Sequence, residues 1–150
     1  MYLTPYVYNK MHTCKYTFTS IGKRDIVKVI EFTPTQTKGV YNLGFGDLQP
    51  NGEIDDVVSS NNGDIVKIFA TVIDILQDFT EQNPSYTILF FGSTSQRTRL
   101  YQRILRTYYQ AFSKIFIVTG FVETETGTNE VPFDPASSTE YFAFFVKRIM

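Results

Sequence analysis

Two polar segments of the chain gather the residue types that hold an anion. The first is Ser59-Ser60-Asn61-Asn62-Gly63-Asp64 and the second is Gly92-Ser93-Thr94-Ser95-Gln96-Arg97. Hydroxyl and amide groups donate hydrogen bonds, and a guanidinium adds positive charge. Each segment also stands where a helix is expected to begin, so the unpaired first-turn N–H groups and the helix dipole favour the same ligand. The candidate ligand-binding residues are therefore Asn62, Asp64, Ser93, Thr94 and Arg97.

Arg97 separates from its basic neighbours by helical phase. At about 100° per residue, Tyr101, Ile104 and Tyr108 fall within about 40° of Arg97, whereas Arg99, Arg103 and Arg106 fall on the opposite side. Arg97 thus sits above the apolar stripe, and its side chain leans back toward the helix start. Two readings stay open. Arg97 either forms a salt bridge to Asp64 that ties the two helix starts together, or binds a phosphate or carboxylate together with Ser93 and Thr94. Arg99, Arg103 and Arg106 form a secondary basic face, read as a solvated surface or as a strip for RNA or an acidic partner.

Other chemical signals are weak. Asp55-Asp56 lacks further spaced ligands, and His12 is the single histidine, so no metal site and no cofactor are expected. Cys14 is the single cysteine and reads as packing. Gly92-Ser93-Thr94 lacks the Gly-x-Ser-x-Gly pattern of a nucleophile turn. Gly44-Phe45-Gly46 precedes no helix and is not a dinucleotide fingerprint.

The elements that position the candidate residues follow from hydrophobic period. Residues 5–9, 15–21, 25–33 and 39–47 are rich in tyrosine and β-branched residues and are separated by Gly or Pro, which predicts a four-stranded antiparallel meander. From 64 to 82, Ile65, Ile68, Phe69, Val72, Ile73, Leu76 and Phe79 recur at helical spacing, with Lys67, Thr71, Asp74, Asp78 and Glu81 opposite. Asn83-Pro84 stops that helix. Residues 86–91 read as an interior strand, 95–113 as a second helix, and 115–123 and 140–149 as strands. Residues 124–139, with Gly127, Pro132 and Pro135, have the composition of a mobile loop.

The predicted fold is α+β: an antiparallel or mixed sheet of six to seven strands, with helices at about 64–82 and 95–113 packed on one face. If each helix runs antiparallel to the strand between them, both begin at the same end of the sheet.

With 150 residues the chain is expected to form one domain, and 43% hydrophobic with 19% charged residues is ordinary for a globular protein. No amino-terminal targeting pattern or run long enough to span a bilayer is seen, so a cytoplasmic protein with no membrane partner is expected. Net charge is −1, yet residues 94–116 carry five bases and no acid, while 47–64 and 121–140 carry five acids each. Mutual neutralisation within the fold, or in a homodimer, accounts for that distribution better than nucleic-acid binding does.

Ser60-Asn61-Asn62-Gly63-Asp64, Thr71-Val72, Asn83-Pro84 and Gly92-Ser93-Thr94-x-x-Arg97-Thr98-Arg99-Leu100-Tyr101-Gln102-Arg103 together resemble a family of bacterial proteins of about this length, mostly from Bacteroidota, known as a domain of unknown function. The resemblance implies no activity. It implies small stand-alone genes, of the kind sometimes found beside short companion genes.

Three functions follow as expectations. The leading one is a binding domain that holds an anionic small molecule, RNA or a protein partner where the helices start. The second is a small ribonuclease-like toxin of a toxin–antitoxin pair, in which arginine stabilises phosphorane charge and tyrosine or carboxylate moves protons. The third is a structural or assembly protein.

Overall fold

The computed structural model describes residues 4–55 and 62–150. Ser59, Ser60 and Asn61 of the first polar segment lie outside the described residues, as does Asp56. The chain opens with β1 (Asn9–His12), β2 (Lys15–Ile21), β3 (Asp25–Pro34) and β4 (Val40–Leu48), which form the expected antiparallel meander. A short β5 (Ile54–Asp55) pairs with β4. Helix α1 (Ile65–Gln82) then crosses to β6 (Thr87–Phe90), which runs parallel to β4. Helix α2 (Ser95–Thr107) and the single turn α3 (Tyr109–Phe112) follow, and then β7 (Phe116–Thr124), β8 (Gly127–Pro132) and β9 (Ala143–Arg148).

The strand order is β1-β2-β3-β4-β6-β9-β7-β8, with β5 off this path. The fold is thus α+β with a mixed sheet and its two longer helices on one face. Among the described residues the sheet counts nine strands, above the six to seven expected. The excess comes from β5 and β8, both too polar or too short to show a hydrophobic period.

Apolar residues at alternate strand positions meet the helix stripes. Phe79 of α1 stacks on Phe32 of β3, and Phe90 of β6 stacks on Phe144 of β9. Phe32, Phe79 and Phe144 are almost wholly removed from solvent, which for each aromatic ring is a large favourable transfer term.

Three local expectations are corrected. Residues 5–9 were expected to form a strand, but β1 begins at Asn9. Just upstream, the Tyr6 N–H donates to Thr71 Oγ1 at 2.8 Å, and the Lys67 ammonium lies 4.4 Å from the Tyr6 ring centre. The amino-terminal segment therefore covers part of α1's outer face, which is why Thr71, read as part of its solvent stripe, is fully buried. The second helix does not run unbroken to 113, because Tyr108, at φ −107° and ψ 17°, separates α2 from α3. Residues 124–139 are not one loop. Gly127, at φ 119°, turns the chain into β8, which pairs with β7 from Thr119↔Pro132 to Thr124↔Gly127. Cys14 lies in the turn between β1 and β2, half-buried and packed against the core, in keeping with its reading as a packing residue. Among the described residues, no helix is long and apolar enough to cross a membrane.

Candidate functional site

The turn between β6 and α2 is built to place Arg97. Thr94 has extended backbone, and its side chain accepts a hydrogen bond from the Arg97 N–H at 3.2 Å, capping the helix. The Gly92 N–H donates to Thr98 Oγ1 at 2.9 Å, and Thr98 in turn donates to the Thr94 carbonyl. A Cβ on Gly92 would lie 2.5 Å from Arg97 Cβ and 2.6 Å from the Thr98 nitrogen, so the close approach of this turn to α2 requires glycine. Arg97 Nη1 donates to Ser93 Oγ at 3.1 Å. Its side chain thus folds back over the first turn, as its phase predicts.

Ser93 and Arg97 also line a cavity of about 140 Å³ between α1, α2 and the sheet. Ile68, Phe69 and Leu76 of α1, Ile104 and Leu105 of α2, and Leu43 and Phe45 of β4 make most of its wall. Ile65, Phe91 and Ser93 line it too and are exposed, which marks its open end, whereas Leu105 and Phe112 are buried. Arg97 is half-buried there, and no described lining residue is acidic. On the other flank of the same turn is a more open cleft bordered by Ser95, Glu123, Glu140 and Phe142. Two carboxylates make that flank a poor place for an anion.

The start of α1 is arranged differently. The Asn62 amide nitrogen donates to the Ser20 carbonyl, Ser20 Oγ and the Arg24 carbonyl, while its Oδ1 accepts from the Arg24 N–H. Its backbone carbonyl accepts from the Lys23 N–H. Asn62 therefore clamps the β2–β3 turn. Asp64 Oδ2 accepts from the Tyr6 hydroxyl at 2.5 Å and from Ser20 Oγ at 2.6 Å, and Oδ1 has no hydrogen-bond partner among the described residues. Burial, then the bond to Asp64, pushes the Tyr6 hydroxyl above its ordinary pKa, so it stays a donor at neutral pH.

The helix starts thus flank one cavity, since Ile65 and Arg97 both line it. Their polar side chains do not all converge. Ser93, Thr94 and Arg97 gather at α2, while Asn62 and Asp64 are bonded to the β2–β3 hairpin and Tyr6. Arg97 and Asp64 form no ion pair; the pairs among the described residues are Lys10–Asp78, Lys28–Asp47 and Arg99–Glu140. The salt-bridge reading of Arg97 with Asp64 is therefore set aside.

Arg99, Arg103 and Arg106 are exposed, as their phase predicts. Arg99 Nη1 donates to Glu140 at 2.9 Å, and Arg106 Nη2 donates to the Ser137 carbonyl at 3.1 Å. Two of the three basic groups thus bind the acidic segment before β9. Sequence reasoning missed Thr98 and Gln102, which are buried on α2. Tyr101, on the apolar stripe by its phase, packs against Phe90 and lines the cavity.

The chain belongs to a family of unknown function, DUF6934, whose model matches residues 3–149. Among curated proteins and among solved structures, no match to the chain is found.

Proposed function

We propose, from membership of a family that assigns no activity, that this protein is a binding domain for a small anionic ligand. The ligand enters the cavity between α1 and α2, where the Arg97 guanidinium and the Ser93 hydroxyl hold its charged group. Thr94 sets the helix start that aims them, and Asn62 and Asp64 fix the opposite wall to the β2–β3 hairpin. The observation that carries this reading is the placement of Arg97. It is the one charged side chain among the described lining residues of a mostly apolar cavity, and in such a setting a guanidinium–anion pair is weakly screened. A small molecule fits better than a polynucleotide, because Arg99 and Arg106 on the outer face already donate within the chain.

Calorimetric titration with inorganic phosphate and with short carboxylates tests the proposal on the wild type, Arg97→Ala and Arg106→Ala. Saturable binding that Arg97→Ala abolishes and Arg106→Ala preserves is the expected result. Absence of saturable binding, or binding indifferent to Arg97→Ala, overturns it.

A further inference from the structure

The size and chemistry of the cavity say more about the ligand than its charge. Resting on the anion-binding reading above, we infer that the ligand is amphipathic: a carboxylate or phosphate joined to a compact apolar group about the size of a phenyl ring. The charged group sits at Arg97 and Ser93, and the apolar group lies between α1 and α2.

Three observations support this. The cavity volume is about 140 Å³, close to the ~150 Å³ apolar cavity that admits benzene in another protein. Its wall, away from Ser93 and Arg97, is dominated by side chains such as Ile68, Phe69, Ile104 and Leu105, which offer a bare anion no hydrogen bonds in place of the water it would shed. Phe91 and Ile65, at 50% and 43% exposure, leave apolar surface at the open end, where Ser93 and Arg97 provide polar contacts. A purely inorganic anion would leave that wall unused. A purely apolar ligand would make no use of the polar contacts that Ser93 and Arg97 provide at the open end.

The test is a homologous series of linear carboxylates from acetate to decanoate, with benzoate, inorganic phosphate and toluene, titrated into the wild-type chain, Arg97→Ala and Ile104→Phe. Affinity is expected to rise roughly fourfold per methylene, the transfer increment for one CH₂ group. The rise should stop at about six carbons, where the cavity is full. Arg97→Ala should weaken benzoate at least roughly tenfold, as loss of a charged hydrogen bond does. Ile104→Phe, which fills the cavity, should flatten the series while phosphate still binds; circular dichroism checks its fold. If that variant does not fold, the chain-length dependence in the wild type decides alone.

Phosphate and acetate binding as tightly as hexanoate and benzoate would overturn this inference and leave the anion site standing. No binding by any anion, phosphate included, would overturn both. A rising series unchanged in Arg97→Ala, with toluene as tight as benzoate, would show an apolar cavity without an anion site and also overturn both.

Discussion

Asn62 uses both ends of its amide within one buried corner, donating to Ser20 and Arg24 and accepting from the Arg24 N–H. Replacing it with alanine removes all of these bonds and leaves the β2–β3 turn untied from the start of α1. Asn62→Ala should therefore lower unfolding free energy by roughly 3 kcal/mol, several lost hydrogen bonds at about 1 kcal/mol each, read as a shift in urea midpoint. Unchanged stability would mean that the clamp does not hold in solution. None of this was legible from the sequence, where Asn62 looked like a ligand group, because its partners lie 38 and 42 residues earlier. Arg97 was legible, since its phase on α2 depends only on local spacing. The difference is one of contact range: helical phase is fixed by neighbours three and four residues away, whereas hydrogen-bond partners are fixed by topology.

The same contrast holds for whole elements. Helix α1 and strands β2–β4 followed from hydrophobic period, because each buries a face that repeats at its own spacing. Strand β8 did not, since its residues are mostly exposed and polar along the sheet edge. The inward polar residues of α2 belong to the same class. Gln102 Nε2 donates to the Thr139 carbonyl at 2.7 Å, and its Oε1 accepts from the Tyr141 N–H. Helix α2 thereby holds the strap between β8 and β9, helped by Arg99 and Arg106. Tyr141 completes the join by packing against Gly120, where any Cβ would come within 2.3 Å of its ring. Gln102→Leu keeps the side chain's bulk but removes both bonds. Amide hydrogen exchange at Tyr141 should accelerate at least tenfold, while exchange in β2 and β3 stays unchanged; equal protection in both proteins would refute the strap's dependence on Gln102.

Across the molecule, the sheet is one path in which β9 pairs with β6 on one side and β7 on the other. Phe144 and Val146 of this strand are fully buried, so the region around α2 has no complete core without it. A chain ending at residue 142 should lose cooperative thermal unfolding and bind a hydrophobic dye; a sharp melt would show that the strands before β9 close a sheet by themselves. This arrangement also governs how the protein is born. Synthesis produces β4, β6 and β7 before β9, so the facing edges of β6 and β7 stay unpaired until the last strand of the sheet arrives between them. Meander strands β1–β4 can pair as they emerge, but the second half of the sheet must wait for one late insertion.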